Sequence, residues 1–257
     1  MNLANVKGIT IPEGAVKALS IGGVKVWEKV SAPDFDKYSW EGVIASMDAG
    51  TYAADYAIGD CVPLDLGSEG LINMQVAAFD TDDLADGSGK AKISWVAKEL
   101  LATSHRMNPA LVTNADGTYQ EGTGDIDGWE KCELRTYLKN TIKPLISEMV
   151  GSRIATVTKK QVAFDTTGAK FTQTSEDDVW IPGFKYPGTT DYKLKYDTLF
   201  PDGKSMKKCK VGSTTVSDWY LRDAYTCESH WKIGTLGNVS TIVLPNNLSI
   251  CLCFCTT

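Results

Sequence analysis

Histidine is almost absent from this sequence: His105 and His230 are the only two in 257 residues. So little imidazole excludes a multi-histidine metal site and leaves scant material for histidine-based acid–base chemistry. Basic runs are missing as well, with 26 Lys and Arg against 32 Asp and Glu and a net charge of −6. An acidic chain without a cationic stripe is a poor match for a phosphate backbone, so no nucleic-acid partner is expected. No apolar run is long enough to span a bilayer, and Met1 to Gly14 lacks the basic start and apolar stretch of a signal peptide. The expectation is a protein made in the cytoplasm, with no membrane insertion. Catalytic templates are also lacking: there is no G-x-S-x-G elbow, P-loop, C-x-x-C or H-E-x-x-H. What is present is an ordinary globular composition, 43% hydrophobic and 23% charged, which is enough to bury a core.

Two units are expected along the chain. Ala18–Ile21 and Val24–Trp27 read as short strands around Gly22 and Gly23, a pair that supplies the positive φ of a tight hairpin turn. Ser31 to Asp34 has the composition of a linker. Residues 1–33 are therefore assigned to a small hairpin module and residues 34–257 to one large domain. In that domain Ile93–Thr103 has few breakers and apolar residues at Ile93, Val96, Leu100 and Leu101, which predicts a helix. Asp127 three residues before Glu130 resembles a capping box opening a second helical region. There Pro144 suits the first turn of a helix that Gly151 ends. Beyond it come short β-rich segments at Ile154–Thr158, Val179–Pro182, Trp219–Arg222, Trp231–Ile233, Val239–Leu244 and Ile250–Cys255. Helices early and strands late indicate an α+β fold with a mostly antiparallel sheet.

Three constellations invite a chemical reading. Asp80, Asp82, Asp83 and Asp86 share a loop with Gly87 and Gly89, but their spacing is not that of a calcium loop, so an acidic surface loop is expected. Cys251, Cys253 and Cys255 alternate with Ile250, Leu252 and Phe254, which places the thiols on one strand face and the large apolar residues on the other. Same-face neighbours on a strand stand roughly 7 Å apart, too far for one tetrahedral ion or an unstrained disulfide, so buried free thiols are expected. Seven cysteines, an odd number, fit that reading. His105 is expected to cap or pack after the first helix, and His230 to make a surface contact. The tail from Trp219 scatters aromatic, hydroxyl and amide side chains among framework residues, as a binding surface does.

These same residues carry a resemblance. Gly128–Leu138 (GWEKCELRTYL), Val179–Pro182 (VWIP), Trp219–Arg222 (WYLR), His230–Ile233 (HWKI) and the closing Ile250–Cys255 follow, in order and spacing, a domain of unknown function common in Firmicute and phage or prophage tail-region proteins. The match runs over roughly residues 38 to 255. Ile9–Gly14 is similar to short N-terminal modules of phage structural proteins. The sequence departs from the pattern at Tyr220, where a second Trp is usual, at Asp223, where Ser is usual, and over Ser249–Leu252. The resemblance implies a C-type-lectin-like fold of the formylglycine-generating-enzyme type, with two helices on a twisted sheet, as in retroelement-diversified phage adhesins. It further implies a virion protein, a tail-tip adhesin that binds a bacterial surface receptor, protein or glycan. Other tail or baseplate proteins would hold the N-terminal module, and a homo-oligomer, commonly a trimer, is the form to expect. Neither cofactor nor metal is expected, and no enzymatic activity. The ligand-contacting candidates are Tyr220, Asp223, Tyr225, Thr226, Glu228, Ser229, His230, Lys232, Asn246 and Asn247, held by a framework of Trp219, Leu221, Arg222, Trp231 and Ile233. The alternatives are a structural virion decoration protein and an oxidase or hydrolase on the same scaffold.

Overall fold

The computed structural model describes residues 36–257 together with two strands near the N-terminus, β1 (Ala18–Ile21) and β2 (Val24–Glu28). These two strands pair antiparallel, as the sequence predicts. The Gly22-Gly23 turn, the Ile9–Gly14 segment and the Ser31–Asp34 linker lie outside the described residues.

The large unit opens with α1 (Trp40–Ala49), which the sequence reading missed. Its local signals are nonetheless clear. The Ser39 hydroxyl accepts the Gly42 N–H, Gly50 ends the helix at φ 72°, and Trp40, Val43 and Met47 form one buried stripe. Gly42 is required by a close approach, since a Cβ there would sit 2.3 Å from the Asp36 carbonyl oxygen. A single turn, α2 (Tyr52–Asp55), leads into strands β3 (Cys61–Asp65), β4 (Leu71–Phe79) and β5 (Ile93–Ala97). The expected helix at Ile93–Thr103 is thus replaced by a strand. All five residues of β5 are buried, and an apolar run buried on both faces loses the alternation that marks a strand.

After the short β6 (His105–Arg106) comes the helical region, made of α3 (Gly128–Lys131), α4 (Glu133–Tyr137) and α5 (Lys143–Val150). The expected capping box is not formed. Asp127 takes a left-handed conformation at φ 60° and makes no side-chain cap; the Cys132 sulfur instead accepts the Arg135 N–H at 3.2 Å and opens α4. A wide π turn, Leu138–Ile142, joins α4 to α5 just before Pro144, whose ring supplies no N–H. Pro144 and Gly151 do occupy the start and end of α5.

The remaining strands are β7 (Ile154–Ala155), β8 (Val157–Phe164), β9 (Lys170–Asp177), β10 (Val179–Trp180), β11 (Lys208–Cys209), β12 (Val216–Ser217), β13 (Trp219–Thr226), β14 (Ser229–Ile233), β15 (Val239–Val243), β16 (Asn247–Leu248) and β17 (Cys253–Thr256). The main sheet runs β10-β17-β5-β4-β3, with β7 also on β17, and every pairing is antiparallel. β8–β9 forms a long hairpin, and β13-β14-β15 forms a meander. The architecture is α+β, a few helices packed against a curled antiparallel sheet. The core gathers Trp40, Trp95, Trp129, Trp180 and Trp219, all buried.

The expected strand over Ile250–Cys255 is shorter than its sequence suggests, since β17 begins at Cys253, and the alternation is seen within it. Phe254 packs against Trp40 on the α1 side, ring centroids 5.7 Å apart, while Cys255 lies on the opposite face within 3.4 Å of an Asp82 carboxylate oxygen. All seven cysteines are free, and Cys132, Cys251, Cys253 and Cys255 are buried.

Candidate binding surface

The ten expected contact residues divide sharply. Tyr225, Thr226, Glu228, Asn246 and Asn247 are exposed, and Lys232 is half-buried in an ion pair with Asp218. Tyr220, Asp223, Ser229 and His230 lie inside the fold, so they are not solvent-facing. The cause is the position of β13. Its first six residues, Trp219 to Ala224, are all buried, because the strand packs against β8 and α3. A strand covered on both faces has no outward side to offer.

Each buried candidate has a structural partner. Asp223 accepts the Val162 N–H at 3.1 Å and the Phe184 N–H at 2.8 Å, which ties β13 to β8 and to the loop after β10. Beside it Arg222 donates to the Ile181 and Lys160 carbonyls and to Gln161. The Tyr220 hydroxyl donates to the Asn246 carbonyl, and Ser229 shares a hydrogen bond with Thr226. His230 donates from Nε2 to the Leu221 carbonyl at 2.6 Å and shares a proton at Nδ1 with Asp125, also at 2.6 Å. Burial disfavours the imidazolium, yet the Asp125 carboxylate and both hydrogen bonds raise the His230 pKa; burial raises that of Asp125. His105 packs as expected, stacked on Tyr137 at 3.7 Å, although it follows a strand and not a helix.

Trp219, Leu221, Arg222 and Ile233 are buried framework, but Trp231 is half-buried and belongs to an aromatic cluster that reaches solvent. Tyr225 meets Trp231 with ring centroids 4.6 Å apart, and Tyr192 meets it from the other side at 5.0 Å. Tyr225 is 47% exposed and Tyr192 46%. Phe184, 6% exposed, lies beneath, 5.5 Å from Trp231 and 5.7 Å from Tyr192. The Asp223 bond to the Phe184 N–H anchors this base. Tyr192 and Phe184 come from residues 183–200, a stretch with no periodicity for sequence reasoning to detect.

Phe184 also lines a recess of about 450 Å³. Its walls carry Lys159, Lys160, Lys185, Lys195 and Arg222, against the carboxylates of Asp83 and Asp197. Asp82 lies under the floor. It is buried, which corrects the expectation of an all-surface acidic loop; Asp80, Asp83 and Asp86 are exposed. Asp82 Oδ1 accepts from the ammonium groups of both Lys159, at 2.6 Å, and Lys195. Oδ2 accepts from Ser94 and from the Tyr196 hydroxyl, each at 2.6 Å. Burial alone would raise the Asp82 pKa, but the two lysines hold it well below the usual carboxylate range. Lys159 also sits 3.7 Å over the Trp180 ring. Tyr196 reaches Asp82 from a left-handed backbone at φ 68°, a strained conformation for a tyrosine.

Among the described residues no group of three or more His, Cys, Asp and Glu side chains is placed to hold a metal ion, and no helix is long and apolar enough to cross a membrane. Burial pushes the thiols of Cys251, Cys253 and Cys255 up, which makes them poor nucleophiles. What the surface offers is an aromatic platform on a rigid base beside a cationic recess. In comparisons with known proteins the chain matches no family model, no curated protein and no solved structure.

Proposed function

We propose that this chain is a phage or prophage tail-tip adhesin, built on a C-type-lectin-like domain, that binds a bacterial cell-surface ligand. The observation that carries the reading is the contact of Tyr192, Tyr225 and Trp231 at the surface. Half-exposed aromatic rings locked against one another present broad contact area with little side-chain entropy left to lose. Finishing the burial of each tyrosine against a ligand is worth on the order of 2 kcal/mol. The buried state of the residues behind the family resemblance also favours it: Trp129, Trp180, Trp219, Leu221, Arg222 and Phe254 are all core, as motifs that define a domain should be. In this reading β1–β2 is the piece that attaches to other tail proteins.

Labelled protein incubated with a panel of Firmicute strains tests the proposal. Adsorption should fall about tenfold or more in Tyr192→Ala/Tyr225→Ala with the melting temperature nearly unchanged. Undiminished adsorption by the double variant sinks the reading, as does adsorption to no strain.

A further inference from the structure

We infer that the recess beside the aromatic cluster is the subsite for an anionic group, so that the ligand is an acidic glycan: a sugar ring carrying a carboxylate or a phosphate. The inference rests on the adhesin reading and names its ligand class.

Three observations converge on it. The first is continuity. Phe184 belongs both to the aromatic cluster and to the recess wall, so one ligand can rest on the rings and reach the cations. The C–H face of a pyranose stacks on Tyr and Trp rings, which accounts for the platform. It does not account for the charge.

The second is charge imbalance at the floor. One carboxylate, Asp82, serves two ammonium groups, and both bind the same oxygen. Lys159 is 2% exposed and burial disfavours its charge, whereas Lys195 is 32% exposed, so the ammonium that faces the recess is that of Lys195. Lys195 has only a share in the Asp82 carboxylate and is open to the recess, so an incoming anion would complete its pairing. Cys255 does not supply that anion, because burial keeps its thiol protonated.

The third is the rim. Lys160 is exposed and has no ion-pair partner among the described residues. Lys185 is tied to Asp197 at 2.5 Å, but that pair is exposed and weak enough to exchange for a ligand. Arg222 adds charge, with three of its five N–H donors already committed to Gln161 and to the Ile181 and Lys160 carbonyls. A cationic recess in a chain of net charge −6 is a local feature, suited to a single acid group and not to a polyanionic backbone.

The test uses the full chain on immobilised polygalacturonate, phosphomannan, dextran and single-stranded oligothymidylate. Retention on polygalacturonate or phosphomannan is expected, and which of the two is retained identifies the acid. Retention should weaken between about 50 mM and about 300 mM salt. Lys160→Gln/Lys185→Gln should weaken it about tenfold without a change in melting temperature, and Tyr192→Ala should weaken it separately. Equal retention on dextran, preference for oligothymidylate, or indifference to the lysine variant overturns the inference. Tyr225-dependent binding to cells with no retention on either acidic polymer overturns the ligand class and leaves the adhesin standing. Retention on an acidic polymer without adsorption to any strain supports the subsite and sinks the adhesin.

Discussion

Four buried thiols make the stability of this fold depend steeply on alkaline pH. Burial raises Cys132, Cys251, Cys253 and Cys255 well above the ordinary thiol range, Cys251 to about 11. In the unfolded chain each titrates near 8.5. Between those values the folded state keeps its protons and the unfolded state sheds them, so the stability present below the unfolded pKa is lost as pH rises. At about pH 9.5 each thiol has cost about 1.4 kcal/mol and the four together about 5.5 kcal/mol. That sum rivals the whole stability of an ordinary domain. Lys159, whose pKa burial lowers, works in the opposite direction, so the clean measurement is a difference between variants. Guanidinium unfolding of the wild type and Cys251→Ala, followed by circular dichroism under reducing conditions at about pH 7.5 and about pH 9.5, supplies it. The variant should be less stable at both values, yet lose about 1.4 kcal/mol less between them. Equal losses in the two proteins would refute the linkage and place Cys251 in contact with water.

Asp82→Asn leaves Lys159 and Lys195 without their shared carboxylate and should cost about 3–5 kcal/mol in urea unfolding; a cost near zero would mean that water reaches the site. His230 is hydrogen-bonded at both ring nitrogens to buried partners when folded, whereas the separated imidazole loses its charge above about pH 6.5. The His230 pKa is raised, so its contribution is full below about pH 6.5 and falls as pH rises above that, by up to about 1.4 kcal/mol per unit, while the contribution of the raised Asp125 is full only below about pH 3.9. Asp125→Asn should flatten the profile between about pH 6 and about pH 7.5, a window below the thiol titration. An unchanged slope in that variant would exclude the pair as its source.

The sequence exposed what alternation or turn chemistry writes locally. The burial of Cys251, Cys253 and Cys255 as free thiols followed from their alternation with apolar residues, and the bounds of α5 from Pro144 and Gly151. Segments buried on both faces misled it: Ile93–Ala97 read as a helix and Trp219–Ala224 as partly exposed, since neither has a polar side to set the period. Tyr225 was legible because it stands where β13 leaves the core for a turn. Tyr192, Phe184 and the recess were not. Lys159, Lys195 and Arg222 meet only after β8, the loop beyond β10 and β13 have packed, and no spacing along the chain encodes that meeting.

The place of β17 sets an order of events during synthesis. This strand lies inside the main sheet, and the Trp95 indole bonds Thr256 across 161 residues of sequence. While the ribosome is still making the preceding segments, β5 and β10 each present an unpaired edge and the face that will meet Trp40 stays wet. Such edges are templates for pairing with other chains. A nascent chain released before Cys253–Thr256 would be left with them open, so completion of the strand is the step that joins β10 and β5 into one sheet.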